Sequence, residues 1–132
     1  MVIFDSSILV DDLRTGRHGE RIARLDELVR TSSVVLAELW RGATTRAEQA
    51  FLRALEQNYP IFTPTEANWL ESGEILMKMQ RDRGFKPAKL RDLHFDVLIA
   101  LTVRSHGARL ITSNRADFEL IRKYRDFKLE VW

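Results

Sequence analysis

The chain contains no cysteine among its 132 residues. That excludes a disulfide-stapled scaffold and fits a reducing compartment, so the expected location is cytoplasmic. It also lacks a long hydrophobic run. The longest apolar stretch, Val97 to Val103, is far too short to cross a bilayer, and the opening Met1-Val-Ile-Phe carries no basic segment of the secretory kind. No charge of one sign dominates, since the net charge is only +2, which by itself is weak support for a polyanionic partner. Linkers, repeats and low-complexity segments are absent as well. A chain of this length suits one domain over residues 1–132, and such a domain buries roughly two-thirds of its unfolded surface without help from a structural metal.

What is present is a β/α alternation. Val2-Ile3-Phe4 reads as a buried strand, and Ser6 or Ser7 can cap a helix that runs through Asp12. Ile22, Leu25, Leu28 and Val29 have helical spacing, which predicts a helix over Glu20 to Arg30, broken by Thr31-Ser32-Ser33 before a further segment from Val34 to Trp40. Helix is expected again from Arg46 to Gln57, and Pro60-Ile61-Phe62 as a brief extended piece. Thr63, Pro64 and Glu66 form the pattern of a capped start for a helix that ends at Gly84. Trp69, Gly73, Leu76 and Met77 share one side of it, a stripe suited to the core or to a subunit contact. A loop from Phe85 to Arg91 then leads into a helix from Leu93 to His106. Arg109 to Thr112 reads as strand, Asp117 to Tyr124 as helix and Phe127 to Trp132 as a last strand. This order predicts an α/β fold, a three-layer α/β/α sandwich around a mainly parallel sheet.

Three carboxylates stand alone in apolar surroundings. Asp5 is the only charge from Met1 to Val10, Glu38 the only one from Ser32 to Trp40, and Asp96 is followed by seven uncharged residues. Burying one unpartnered carboxylate costs several kcal/mol or forces its neutralisation. Each has a separate structural explanation. Asp5 can cap the first helix, Glu38 can pair with Arg41 three residues on, and Asp96 can sit in the first helical turn, where the macrodipole favours an acid. One shared cause explains all three together: a divalent cation such as Mg²⁺ or Mn²⁺, which prefers hard oxygen ligands. In an open α/β sheet, strand ends and helix starts line one crevice, so the three can converge.

Basic residues accompany them. Lys78, Arg81, Arg83, Lys86, Lys89 and Arg91 face a single acid, Asp82, in that stretch, and Arg14, Arg17, Arg21 and Arg24 form a second group. Either is a solvated surface or a set of phosphate contacts; Lys86, Lys89 and Arg91 are the candidates for RNA, being closest to Asp96. An acidic, metal-binding hole with a basic rim suits cleavage of a nucleic-acid backbone. Asn114 and Asp117 follow the strand ending at Thr112 and have capping-box spacing, which allows both a capping and a ligating role. The three histidines, His18, His94 and His106, have no partner at metal-ligand spacing.

These segments resemble the motifs of PIN domains. Phe4-Asp5-Ser6-Ser7-Ile8-Leu9 is similar to the opening motif, Ser33 to Gly42 around Glu38 to the second, Asp96-Val-Leu-Ile-Ala100 to the third, and Leu110 to Phe118 to the fourth. The resemblance runs from residue 3 to about residue 121 and implies Mg²⁺- or Mn²⁺-dependent RNA hydrolysis. For so short a chain it points to the VapC toxins of type II toxin–antitoxin pairs, usually dimeric and silenced by a small antitoxin. By motif position Asp5, Glu38, Asp96 and Asp117 carry over as catalytic and metal-binding residues, with Asn114 as a further ligand. Asn114 stands where many members carry Asp. Ser6, Ser7 and Thr112 are expected to support the site by hydrogen bonds. Two alternatives remain open: a PIN nuclease of RNA maturation or decay, and an inactive PIN fold that only binds RNA or protein. A phosphatase of the haloacid-dehalogenase type needs an acid where Ser7 stands. A response-regulator receiver needs an earlier acidic pair than Asp11-Asp12 and a lysine soon after Thr112.

Overall fold

A computed structural model describes all 132 residues. Five strands, β1 (Val2–Phe4), β2 (Val29–Ser32), β3 (Ile61–Phe62), β4 (Arg109–Thr112) and β5 (Lys128–Val131), form one sheet in the order β3-β2-β1-β4-β5. Every pairing is parallel, with Val2 opposite both Val29 and Arg109. The sheet expected to be mainly parallel is wholly so. Seven helices flank it: α1 (Ser6–Thr15), α2 (Gly19–Ala23), α3 (Ser33–Gly42), α4 (Arg46–Asn58), α5 (Glu66–Arg83), α6 (Pro87–Ser105) and α7 (Arg115–Arg122).

The chain builds β1, β2 and β3 outward on one side, then returns to place β4 and β5 on the other. The direction of winding therefore reverses between β1 and β4, which opens a crevice at their carboxyl ends. Val2, Ile3, Leu110 and Ile111 are fully buried, as befits central parallel strands covered on both faces. Residues Val97 to Val103 of α6 are all buried too, so this helix is apolar on every side because it runs through the core rather than along its surface. Gly107 ends the helical run with φ of 62°, a left-handed turn that sends the chain into β4.

Several local expectations are corrected. Of the helix predicted over Glu20 to Arg30, only Gly19–Ala23 forms, and Val29 and Arg30 open β2 instead. A strand here bonds to β1 on one side and β3 on the other, and that tertiary gain overrides the helical spacing. Thr31 and Ser32 continue the strand, and Ser32 caps α3 by accepting the amide of Val34 at 3.1 Å. The capping box of α5 uses Thr65 and Asn68, not Thr63 and Glu66. Asn68 also donates to Ser105 at the end of α6, 3.0 Å away, which only this register allows. On α5 the stripe divides: Leu76 packs against the core, while Trp69 and Met77 are exposed.

The largest shift in boundary concerns α6. It begins at Pro87 rather than Leu93, with proline in the first turn, where its missing N–H costs nothing. Residues 87–91 are thus helix and not loop, and Asp96 lies in the third turn. A helix dipole acts within the first turn, so it does not account for an acid there.

Candidate metal centre

Asp5 leaves the end of β1 directly into the crevice and is 3% exposed. Its backbone N–H donates to Ile111 of β4 at 2.9 Å, tying the residue to the next strand. Its side chain is held from three directions. Ser7 Oγ and Thr112 Oγ1 each donate to Asp5 Oδ2 at 2.8 Å, and Ser6 Oγ donates to Oδ1 at 3.4 Å. Ser7 Oγ also accepts the amide of Ser113, and Thr112 Oγ1 that of Asn114. One carboxylate oxygen is thereby saturated by hydroxyls, while the other keeps lone pairs for a ligand. Asp5 occupies the N-cap position of α1 but makes no side-chain capping bond, so the cap explanation of this acid fails.

Glu38 on α3 and Asp96 on α6 complete the group. One oxygen from each of Asp5, Glu38 and Asp96 lies within 4.8 Å of the others. Glu38 Oε1 is buried with no hydrogen-bond partner, a vacancy in the bonding that buried polar groups normally satisfy. The alternative explanation of Glu38, a pair with Arg41, does not hold: the Arg41 guanidinium lies over the Phe95 ring, 5.6 Å from the centroid, and no ion pair forms. Burial, first, and the charges of Asp5 and Asp92 push the Glu38 carboxyl up to about 7, Arg41 opposing them. Burial, then the charges of Asp5, Glu38 and Asp117, push Asp96 up to about 8, against the pull of Lys89. Burial and crowding thus outweigh the nearby Arg41 and Lys89, and Glu38 and Asp96 tend to hold protons. A divalent cation would remove that tendency, and an all-oxygen set with an orphaned oxygen suits Mg²⁺ or Mn²⁺.

The triad opens into a polar cavity of about 440 Å³, also lined by Asp11, Arg41, Asp92, Asn114 and Asp117. Asp117 therefore shares the cavity without belonging to the tight triad. Asn114 caps α7, accepting the amide of Asp117 at 3.4 Å, and its Nδ2 donates to Asp117 Oδ2 at 3.2 Å. Lys89 Nζ sits 2.8 Å from Asp117 Oδ1. Lys86 and Arg91 are exposed near the start of α6. In the second basic group Arg17, Arg21 and Arg24 each lie within 4.0 Å of a carboxylate.

The histidines stay outside the centre. His18 lies in the turn between α1 and α2, buried, with Nε2 3.6 Å from Asp11. His94 meets Ser72 at 3.0 Å and its pKa is lowered by burial. His106 stacks on Phe62. The sequence reading missed Asp11, Asp92 and Arg41. Asp92 lies four residues before Asp96 and hence on the same helical face, a signal hidden while α6 was thought to begin at Leu93.

Comparison with known proteins agrees with this architecture. Residues 2–124 match the family model described as PIN domain. A search of curated proteins gave no match. Among solved structures, VapBC2 from Rickettsia felis, bound to a DNA fragment from its promoter, superposes with a TM-score of 0.75 at 22% identity, covering 100% of this chain and 99% of that one. VapBC-1 from nontypeable Haemophilus influenzae gives 0.73 at 22%, covering 100% and 98%. DNA-bound VapBC from Salmonella typhimurium gives 0.66 at 20%, covering 99% and 97%. At these identities the likeness establishes the fold.

Proposed function

Because the chain belongs to the PIN-domain family, we propose that it is a Mg²⁺- or Mn²⁺-dependent endoribonuclease and the toxin of a VapBC-like toxin–antitoxin pair. The observation that carries this reading is the convergence of Asp5, Glu38 and Asp96 within 4.8 Å, with a buried oxygen of Glu38 left without a partner. Asp5, Glu38 and Asp96 hold the ion, with Asp117 and Asn114 at the edge of the same cavity. A bound divalent cation polarises a phosphoryl oxygen and lowers the pKa of water. Ser7 and Thr112 fix one oxygen of Asp5 so that the other points at the ligand without rotamer freedom, and Ser6 adds a longer bond. Arg41 brings an unpaired guanidinium to the cavity wall. Lys86, Lys89 and Arg91, at the start of α6, are the proposed contacts to the RNA backbone, and each phosphate contact releases counterions.

An antitoxin is the proposed protein partner. A second cavity of about 590 Å³ runs between α1, α3 and α4, lined by Leu9, Leu13, Leu39, Phe51 and Leu52, and it shares Ser6, Val10 and Glu38 with the acidic cavity. An apolar peptide segment seated there could extend an arginine or lysine onto the carboxylates by charge-assisted hydrogen bonds. The exposed Trp69, Leu70 and Met77 of α5 suit a homodimer contact. Solved neighbours bearing the VapBC name support the toxin reading over an RNA-maturation role. No helix is long and apolar enough to cross a membrane; a cytoplasmic location is part of the proposal and suits an RNA substrate. Expression of the chain should halt growth. Asp5→Asn or co-expression of the partner should relieve the arrest, and an arrest that Asp5→Asn leaves intact would reject the reading.

A further inference from the structure

Lys89 is placed unlike the other basic residues. It stands in the first turn of α6, seven residues before Asp96, so two helical turns bring both to one face, with Asp92 between them. Its Nζ lies 2.8 Å from Asp117 Oδ1 on α7. The other oxygen of Asp117 accepts from Asn114 Nδ2 at 3.2 Å. Both oxygens of that carboxylate are thus taken by protein donors, one of them a full positive charge, at the mouth of the cavity that holds the triad. We propose that Lys89 is a tethered cation standing beside Asp96 in the place of a second divalent ion, so that the centre takes a single metal at Asp5, Glu38 and Asp96.

The chemistry favours one ion over two. Two-metal phosphodiesterase sites need carboxylates that bridge or flank ions about 4 Å apart. Here a second ion could use Asp117 only after breaking a charge-assisted bond and standing next to an ammonium. Asn114 supplies no charge to offset that repulsion. The ammonium has three N–H groups, and Asp117 engages one. With its side chain 40% exposed, Lys89 can offer another to a phosphoryl oxygen, supplying by a fixed side chain the positive charge that a second ion would bring. The inference rests on the metal-centre reading above and adds its stoichiometry.

The test is Mn²⁺ binding by the full chain, free of partner, followed by electron paramagnetic resonance and equilibrium dialysis, with circular dichroism to verify the fold. The wild type should bind one Mn²⁺, Lys89→Met should bind two, and Lys89→Arg should return to one. Lys89→Gln repeats the measurement should the methionine variant not fold. Adding Asp117→Asn to Lys89→Met should abolish the second site only. Two ions on the wild type, or one on both Lys89→Met and Lys89→Gln, would overturn the role of Lys89 while leaving the metal centre standing. No ion on the wild type, or an undiminished one on Asp5→Asn, would overturn both.

Discussion

Replacing Asp96 by asparagine should stabilise the metal-free protein while abolishing its metal site. The folded Asp96 carboxyl titrates at about 8 against an ordinary 3.8, with burial the largest cause and the neighbouring acids next. A raised carboxyl pKa means that the folded state keeps a proton which the unfolded chain releases, so stability falls as pH rises from about 4 to about 8. At pH 7 the gap from 3.8 is about 3 units, and at about 1.4 kcal/mol per unit Asp96 costs the fold ~4 kcal/mol. At pH 5 the gap is about 1 unit and the cost ~1.5 kcal/mol. Asparagine carries no such penalty. Seating its amide has its own cost, but that cost is the same at both pH values, so the difference between variant and wild type should grow by about 2 to 3 kcal/mol from pH 5 to pH 7. Urea unfolding in EDTA at the two pH values measures it. A variant whose stability relative to wild type does not change between pH 5 and pH 7 would refute the claim that Asp96 is held in a crowded, desolvated acid cluster.

Other outcomes follow from the same geometry. Because Glu38 and Asp96 titrate at about 7 and about 8, Mn²⁺ binding should release protons and tighten steadily from pH 6 to pH 8; calorimetry in buffers of different ionisation enthalpy would detect the release. Thr112→Val removes a 2.8 Å bond to Asp5 and the acceptor for the Asn114 amide, so it should cost ~1–3 kcal/mol in stability and weaken metal binding although Thr112 holds no ion. Asn114→Asp keeps the cap but turns a hydrogen bond to Asp117 into a repulsion; it should lower stability by roughly 1 kcal/mol, which urea unfolding in EDTA would measure. Neutralising Lys86 and Arg91 together should flatten the salt dependence of RNA binding, and an unchanged slope would make them ordinary surface charges.

The centre was legible because its acids interrupt apolar runs. A lone charge at residues 5, 38 and 96 announces a buried carboxylate whichever element carries it, and burial is the property the site requires. Asp117 and Asn114 were harder. Their spacing describes a helix cap and a cavity wall equally well, and the structure gives them both positions. Lys89 was legible only as one of several basic residues, because its ion pair joins positions 28 apart in the chain and depends on α6 starting two turns earlier than the apolar periodicity indicates. Helix boundaries failed where tertiary contacts decide them: Asn68 reaching Ser105 moves the start of α5, and pairing of Val29 and Thr31 with two neighbouring strands replaces half of an expected helix. The apolar cavity between α1, α3 and α4 left no mark in the sequence. Leu9, Leu39 and Phe51 come from three different helices, and nothing in their local spacing brings them together.

The proposed centre of Asp5, Glu38 and Asp96 makes RNA cleavage depend on both the ion and the acids. Its most direct test is incubation of the purified, partner-free chain with RNA under Mg²⁺, under EDTA, and under EDTA followed by excess Mn²⁺, with Asp5→Asn and Asp96→Asn purified alongside. Cleavage is expected with Mg²⁺, with none in EDTA, recovery with Mn²⁺, and loss by orders of magnitude in both folded variants. Cleavage that survives EDTA, or that is equal in Asp5→Asn and the wild type, would contradict it.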